Sequence, residues 1–178
     1  FAAMQCTFLT FVAKFFTAFG DESFIIPVMI IGLVLLMFKK TRKYGVALVG
    51  AIIIGTLITN VIAKPAVLRI RPYNTLQDLD FYWKAYIGAG ALSESDYSFP
   101  SGHTTGIFEI AISLALIFRK DGKKKLSWVF PVIALCTMGS RVYLMVHYPT
   151  DVLGGMIIGT FAGVCGYLLS KLYVCLLY

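Results

Sequence analysis

Long apolar runs separated by short polar connectors make up most of this chain. The runs cover residues 24–38, 44–63, 104–118, 127–146 and 152–176. Most of them approach the ~20 residues that an α-helix needs to cross ~30 Å of hydrocarbon. The pattern therefore predicts an all-α fold, an integral membrane helical bundle with about five transmembrane helices in a single domain over residues 1–178.

Residues 4–19 show a different periodicity from the runs that follow. One helical face holds polar side chains, namely Thr7, Thr10, Lys14 and Thr17. The opposite face holds phenylalanines, namely Phe8, Phe11, Phe15 and Phe19. This separation predicts an N-terminal amphipathic helix that lies in the membrane interface. The alternative is a bundle of six transmembrane helices, in which this segment also crosses the membrane and Lys14 turns towards the other helices.

The composition is typical of a membrane protein. Apolar residues make up 58% of the chain and charged residues 14%, whereas soluble domains carry about 25% charged residues. The four cysteines lie inside apolar or amphipathic helices without metal-ligand spacing, so we interpret them as small apolar fillers. We expect no metal site and no cofactor, because no carboxylates or histidines are spaced to bind a divalent ion.

The net charge of +7 comes mainly from two short connectors. One holds Lys39, Lys40, Arg42 and Lys43, and the other holds Arg119, Lys120, Lys123, Lys124 and Lys125. Two crossings separate these connectors, so they share one side of the membrane, and the positive-inside rule makes that side cytoplasmic. This explains the charge without a nucleic-acid partner. Residues 64–101 and 140–151 are then extracytoplasmic on a multi-pass protein of the cell membrane.

Three blocks of polar and charged residues lie in those extracytoplasmic segments. They are Lys64 followed by Arg71-Pro72, then Pro100-Ser101-Gly102-His103, then Ser140-Arg141 with His147 and Asp151. Their spacing matches Lys-x6-Arg-Pro, Pro-Ser-Gly-His and Ser-Arg-x5-His-x3-Asp at every fixed position. From about residue 20 to residue 165 the chain therefore resembles the type 2 phosphatidic acid phosphatase superfamily, which includes lipid phosphate phosphatases and vanadium haloperoxidases. The compact chain is similar to the bacterial membrane branch.

The residue types in these blocks suit phosphate binding. Lys64, Arg71 and Arg141 supply the positive field that a phosphate needs, and an arginine fork holds two phosphate oxygens at once. Ser101 and Gly102 precede an apolar helix, whose free N–H groups and dipole favour an anion. Two alternatives remain open, namely Lys64 as a snorkelling lysine at a helix end and Ser101 as a helix cap.

The resemblance implies catalytic roles for His147, His103 and Asp151. His147 is the expected nucleophile and Asp151 the carboxylate that orients its ring; the alternative for Asp151 is a cap of the last helix. His103 is expected to protonate the departing lipid oxygen and then to activate water, so that a phosphohistidine forms and is hydrolysed. The resemblance implies that the cations stabilise the phosphoryl charge without a metal.

Three further features carry structural expectations. Glu109 shares a helical stripe with Thr105 and is interpreted as part of a buried polar stripe. The glycines at 155, 159 and 163 form a small-residue face, suited to packing within the chain or, alternatively, to a homodimer. The 73–99 connector carries aromatic residues that are expected at the headgroup level, either lying on the membrane or lining a lateral opening for a lipid tail. Arg69 lies outside the motif and is expected in a loop or headgroup contact.

The resemblance implies an enzyme that removes a terminal phosphate from a lipid phosphate or pyrophosphate at the extracytoplasmic face. Phosphatidylglycerophosphate, phosphatidic acid and undecaprenyl pyrophosphate all stay open as substrates, and the expected partners are this substrate and membrane lipids. A vanadium haloperoxidase is an alternative within the superfamily, but those relatives are soluble. A small membrane transporter or channel with a cationic mouth is an alternative from another class. It would need charged residues through the membrane depth rather than at one boundary.

Overall fold

The computed structural model describes residues 4–177, and every regular element in that range is a helix. The α-helices are α1 (Thr7–Thr17), α2 (Glu22–Met37), α3 (Arg42–Thr56), α4 (Lys64–Val67), α5 (Pro72–Thr75), α6 (Asp80–Ala89), α7 (Gly102–Lys120), α8 (Lys124–Tyr143) and α9 (Pro149–Leu177). A 3₁₀ turn at Ala18–Gly20 follows α1, and a π-helical segment at Leu57–Ala63 joins α3 to α4. The predicted all-α class is confirmed.

Four helical stretches among the described residues are long and apolar enough to cross a membrane. They are Thr7–Met37, Arg42–Thr75, Lys124–Tyr143 and Pro149–Leu176. The fifth predicted span corresponds to α7, which packs against α3, α8 and α9 in the centre of the bundle. Because α7 is surrounded by protein rather than lipid, it can bury polar residues such as Thr105 and Glu109.

Helix α1 turns its polar face towards the bundle. The hydroxyl groups of Thr10 and Tyr143 lie 3.1 Å apart, and Thr17 accepts a hydrogen bond of 2.8 Å from Arg141. Three phenylalanines of the other face are exposed, namely Phe8, Phe11 and Phe15. The predicted separation of the faces is present, although Lys14, which the six-helix alternative turns towards the other helices, is exposed beside Gly90. Whether α1 crosses the membrane stays a prediction.

The small-residue face of α9 packs against α7. A Cβ atom on Gly155 would lie 2.7 Å from the carbonyl oxygen of Ser101, and one on Gly159 would lie 2.5 Å from that of Thr105. A Cβ on Gly163 would meet the α7 backbone in the same way. Glycine is therefore needed for this close approach. The face is used for packing within the chain, as the first of the two alternatives predicts.

The two basic connectors lie at the same end of the bundle. Lys43 Nζ lies 2.7 Å from Oδ1 of Asp121, and the Tyr44 hydroxyl donates to the same carboxylate at 2.5 Å. Close packing joins α2 and α3 near this end, where a Cβ on Gly45 would lie 2.6 Å from the carbonyl oxygen of Gly32. The motif blocks lie at the opposite ends of the same helices.

Candidate active site

The three motif blocks meet at one end of the bundle, and each is held by the end of a helix. Lys64 begins α4, and Arg71 is the residue before α5. Ser101 is the N-cap of α7, and the third block surrounds the turn from α8 to α9. The structure thus brings all eight predicted site residues together, namely Lys64, Arg71, Ser101, Gly102, His103, Arg141, His147 and Asp151.

A tight turn after α8 carries His147 back towards Arg141. The N–H of Val146 donates to the carbonyl of Arg141 at 3.3 Å, and the N–H of Met145 donates to the carbonyl of Val142 at 3.1 Å. This is the hydrogen-bond pattern of a Schellman motif. Met145 has a φ of 62°, at the position where glycine is usual. Because residue 145 is methionine, the glycine that usually indicates a helix end in a sequence is absent here.

The two ring nitrogens of His147 have different neighbours. Nδ1 lies 3.5 Å from Oδ2 of Asp151 and 3.4 Å from Oγ of Ser98. Nε2 lies 3.1 Å from Nη1 of Arg71. Because a guanidinium can only donate, Nε2 carries the lone pair in this arrangement and Nδ1 carries the proton. The ring therefore points its lone pair towards the cations.

Burial also keeps the imidazole of His147 neutral. It lowers the pKa of His147 below the ordinary value, against the opposing effect of the hydrogen bond to Asp151. The positive charges of Arg141 and Arg71 lower this pKa further. Near neutral pH the ring is thus in the form that an attacking nitrogen needs.

Asp151 faces His147 from the first turn of α9. Its fully buried carboxylate accepts hydrogen bonds from the N–H of Tyr148 at 2.9 Å and from the hydroxyl of Ser98 at 2.5 Å. The N-cap alternative for this residue is wrong, because α9 begins at Pro149 and Asp151 is its third residue, whose carboxylate reaches back to the N–H before the helix. Arg69 donates to the other oxygen at 2.7 Å and lies over the Tyr148 ring. Arg69 lies in the loop between α4 and α5, as one of the two expectations for it states, and it gives the buried carboxylate a cationic partner.

Two carboxylates of the 73–99 connector lie between the predicted cations. Asp96 pairs with Lys64 and Arg71, and Glu94 pairs with Arg71 at 2.5 Å and with Arg141. Arg71 and Arg141 are only 3% and 1% exposed, so their charges need close counter-ions. A phosphate held by these three cations would need the same space. Nε of Arg141 is buried without a hydrogen-bond partner among residues 4–177, which leaves one donor unused.

Both connector carboxylates are held in the ionised form. Burial raises the pKa of Glu94, but Arg141, His103 and Arg71 outweigh it and bring the pKa below the ordinary value. Burial likewise raises the pKa of Asp96, and Lys64 and Arg71 reverse the direction. Near neutral pH the two carboxylates therefore balance two of the three positive charges.

The second motif block forms the N-terminus of α7. Ser101 caps the helix, since its hydroxyl oxygen accepts a hydrogen bond of 3.4 Å from the N–H of Thr104. His103 Nδ1 lies 3.9 Å from Oε1 of Glu94, and Nε2 lies 3.7 Å from Oδ2 of Asp21. His103 thus adjoins the carboxylate that also contacts two of the predicted cations.

Sequence analysis missed the contribution of the connector. Ser98 is fully buried beside His147 and Asp151, and the hydroxyl of Tyr73 bonds to both the N–H and the carbonyl of Glu94. Three connector tyrosines belong to a buried core cluster, namely Tyr73, Tyr82 and Tyr86. These three therefore pack against protein, and they neither lie on the membrane nor line an opening for a lipid tail. One sequence feature could have indicated this contribution to the site. Glu94, Asp96 and Ser98 come shortly before the second motif block along the chain.

Comparison with known proteins identifies the family to which this chain belongs. A family model described as the PAP2 superfamily matches residues 44–173. An undecaprenyl-diphosphatase of Sulfolobus acidocaldarius is 33% identical over 150 residues, which cover 82% of this chain and 63% of the relative. Phosphatidylglycerophosphatase B of Bacillus subtilis is 34% identical over 151 residues, or 80% of this chain and 66% of the relative. The chain thus spans about two thirds of the length of these two relatives.

A solved structure shares the same fold. It is that of a transmembrane PAP2-type phosphatidylglycerolphosphate phosphatase from Bacillus subtilis, with a TM-score of 0.74 and 27% sequence identity. The superposition covers 99% of this chain and 82% of the other. The helical membrane bundle is therefore shared over nearly the whole length.

Proposed function

This chain belongs to the PAP2 superfamily, and on that basis we propose that it is an integral membrane phosphatase that removes a terminal phosphate from a lipid phosphate or lipid pyrophosphate. The observation that carries the proposal is the orientation of His147, with Nδ1 towards Asp151 and Nε2 towards Arg71. A neutral, oriented imidazole beside several cations suits attack on a phosphoryl group.

In the first step, Nε2 of His147 attacks phosphorus and the bond from phosphorus to the lipid oxygen breaks. Burial and the charge of Arg141 lower the pKa of His103 to about 4, so His103 must take up a proton together with the anionic substrate. It then gives that proton to the departing oxygen, and the phosphoryl group becomes bonded to Nε2 of His147. Asp151 stabilises the positive charge that forms on the ring. Lys64, Arg71 and Arg141 hold the equatorial oxygens, on which the charge is spread.

In the second step, water attacks the phosphohistidine. His103, now without its proton, accepts one from the water while the bond from phosphorus to Nε2 breaks. Inorganic phosphate leaves and both histidines return to their starting forms. As proposed, the two steps use protein side chains and one water molecule, and no metal ion takes part.

Substrate binding requires a rearrangement of the connector. Glu94 and Asp96 pair with the three cations that the phosphate needs and balance two of their charges. An incoming phosphate must therefore replace one or both carboxylates. Asp96 lies at the surface, whereas Glu94 is partly buried. Moving the carboxylate of Asp96 away from the cations therefore costs less free energy than moving that of Glu94.

The reaction takes place at the extracytoplasmic face. The two basic connectors lie together at the opposite end of the bundle, where Lys43 pairs with Asp121. The positive-inside rule makes that end cytoplasmic. Phosphatidylglycerophosphate, phosphatidic acid and undecaprenyl pyrophosphate are the substrates to test, and two of them correspond to the names of the relatives.

Phosphate release by purified protein tests this function. The wild type should release phosphate from at least one of the three lipids, with and without EDTA, and orthovanadate should inhibit it by imitating the transition state. His147→Ala should abolish release, whereas Lys84→Ala, an exposed lysine at the same end, should not change it. Release that is absent for all three lipids, or equal in His147→Ala, would contradict the proposal.

A further inference from the structure

A cavity of about 1220 Å³ descends from the candidate active site between α2, α3 and α7. Lys64, Glu94 and His103 lie at its upper end, and Glu109 lines its lower part. Glu109 follows His103 by six residues on α7, a rise of about 9 Å along the helix axis. The cavity therefore extends well below the phosphate site, into the depth at which the rest of a lipid substrate would lie.

One side of this cavity is apolar and open to the membrane. Ile25, Ile26 and Met29 of α2 form this wall, with Ile53 and Leu57 on the facing helix. Ile26, Ile53 and Leu57 are exposed at the surface as well. A hydrocarbon chain can thus pass from the bilayer into the cavity between α2 and α3.

Polar residues line the cavity beside this apolar wall. Thr56, Asn60 and Lys64 all line it, and their spacing of four residues places them on one helical face. Thr56 and Asn60 are exposed to the cavity rather than packed in the bundle. A row of hydrogen-bonding side chains therefore leads from Lys64 back along the chain to Thr56, eight residues away.

Glu109 faces this row from α7. The residue is 1% exposed, and its Oε2 has no hydrogen-bond partner among the described residues. A Cβ on Gly55 would lie 1.6 Å from Oε2, so the glycine makes the space that the carboxyl group occupies. A buried polar atom without a partner is rare in folded proteins, and an ionisable residue within a membrane suggests a functional site by default.

We infer that Thr56, Asn60 and Glu109 form a second subsite, below the phosphate site, that binds carbonyl or hydroxyl groups in the backbone of the lipid substrate. The inference rests on the proposed function. Thr56 and Asn60 can donate to a carbonyl oxygen, and the carboxyl group of Glu109 can pair with a hydroxyl or amide group. Diacylglycerol phosphates and acylated sugar phosphates carry such groups close to the phosphate.

A polyprenyl phosphate carries only hydrocarbon at this depth. It would cover the polar row without pairing with it, and buried groups that lose water without a new partner weaken binding. The subsite therefore selects lipids with an oxygen-bearing backbone over polyprenyl phosphates. We expect a difference of about tenfold or more in kcat/KM, which corresponds to one lost hydrogen bond.

The test compares four substrates with the purified wild-type protein. They are a diacyl phosphatidic acid, its dialkyl ether analogue with the same chains, an acylated glucosamine phosphate and a polyprenyl phosphate. We expect kcat/KM to be about tenfold higher for the diacyl lipid or the glucosamine lipid than for the polyprenyl phosphate. A diacyl lipid favoured over its ether identifies the ester carbonyls as the bound groups, and a favoured glucosamine lipid identifies the sugar and amide groups.

Substitutions then test which residues produce the preference among the lipids. Asn60→Leu and Thr56→Val should each reduce the preference over the polyprenyl phosphate, whereas Val61→Leu, the next residue and exposed outside the cavity, should retain it. Two variants are used so that one misfolded protein does not decide the result. Equal kcat/KM for all four lipids, a preference for the polyprenyl phosphate, or an unchanged preference in both variants overturns the inference.

Hydrolysis of a soluble phosphate ester distinguishes failure of the inferred subsite from failure of the proposed function. Wild-type protein that hydrolyses p-nitrophenyl phosphate but shows no preference among the lipids is a phosphatase without the polar subsite. Wild-type protein that hydrolyses neither the soluble ester nor any lipid contradicts the proposed function, and the inference fails with it.

Discussion

Nη1 of Arg71 lies 3.1 Å from Nε2 of His147. The same guanidinium pairs with Glu94 and Asp96. The nitrogen proposed to attack phosphorus thus faces a cation that is already engaged by two carboxylates of the connector. Arg71 therefore contacts both the proposed nucleophile and two carboxylates of the 73–99 connector. Substitutions at these contacts should change catalysis and substrate binding.

The two histidines should differ in trapping experiments. His147→Ala removes the nucleophile, so no phosphoenzyme should form with any substrate. His103→Ala removes the acid and base and should slow turnover by about 10²–10⁴-fold, but a substrate with a good leaving group should still phosphorylate His147. Rapid quenching at alkaline pH with a radiolabelled activated ester measures this. Label on His147→Ala, or none on either wild type or His103→Ala, would show that the roles are wrong.

Removing the negative charge of Asp96 should strengthen substrate binding. In Asp96→Asn, Lys64 and Arg71 lose a competing anion, so KM should fall about three- to tenfold with little change in kcat. The melting temperature should fall too, because Lys64 loses its carboxylate partner and Arg71 keeps only Glu94. Asp78→Asn, an exposed residue of the same connector, is the control and should change neither quantity. A KM that rises in Asp96→Asn would contradict the competition.

The lowered pKa of His147 predicts a pH dependence of stability. Because the fold favours the neutral ring, the contribution of His147 is present above its ordinary pKa of 6.5 and is lost as the pH falls below it. The melting temperature of the wild type should therefore fall between about pH 7.5 and pH 5.5 more steeply than that of His147→Gln. Parallel curves for the two proteins would exclude this contribution.

Close packing of α7 on α9 predicts a specific sensitivity at Gly159. A Cβ there would lie 2.5 Å from the carbonyl oxygen of Thr105, so Gly159→Ala should reduce the free energy of unfolding by about 1–3 kcal/mol. Gly139→Ala is the matched control, because nothing lies within 4 Å of a Cβ at that position. It should be neutral or stabilising by up to about 1 kcal/mol. Equal melting temperatures for the two variants would count against the packing argument.

The proposed orientation can be checked by labelling in intact cells. In a background without native cysteines, Ser95→Cys should react with an impermeant thiol reagent, because residue 95 is exposed at the end that holds the candidate site. Lys123→Cys, in a basic connector, should react only after the membrane is permeabilised. The reverse pattern would place the candidate site in the cytoplasm.

The sequence by itself determined the class of this protein and which residues to examine. The span 44–63 and the basic connectors can be recognised because insertion into a bilayer depends on local composition. Motif spacing identified eight residues, among them His147 and Asp151, that the structure brings together at one end of the bundle. These properties depend on short segments of the chain, and a linear pattern records them.

Only the tertiary structure decided how those residues are partnered. Asp96 and Lys64 are 32 residues apart, and Glu94 and Arg141 are 47 apart, so their pairing depends on how the connector folds over the site. Composition showed the acidic residues of the connector but not which cations they would meet. The inward polar face of α1 and the central position of α7 were undecided for the same reason. Burial and ion pairing depend on neighbours that only the folded chain supplies.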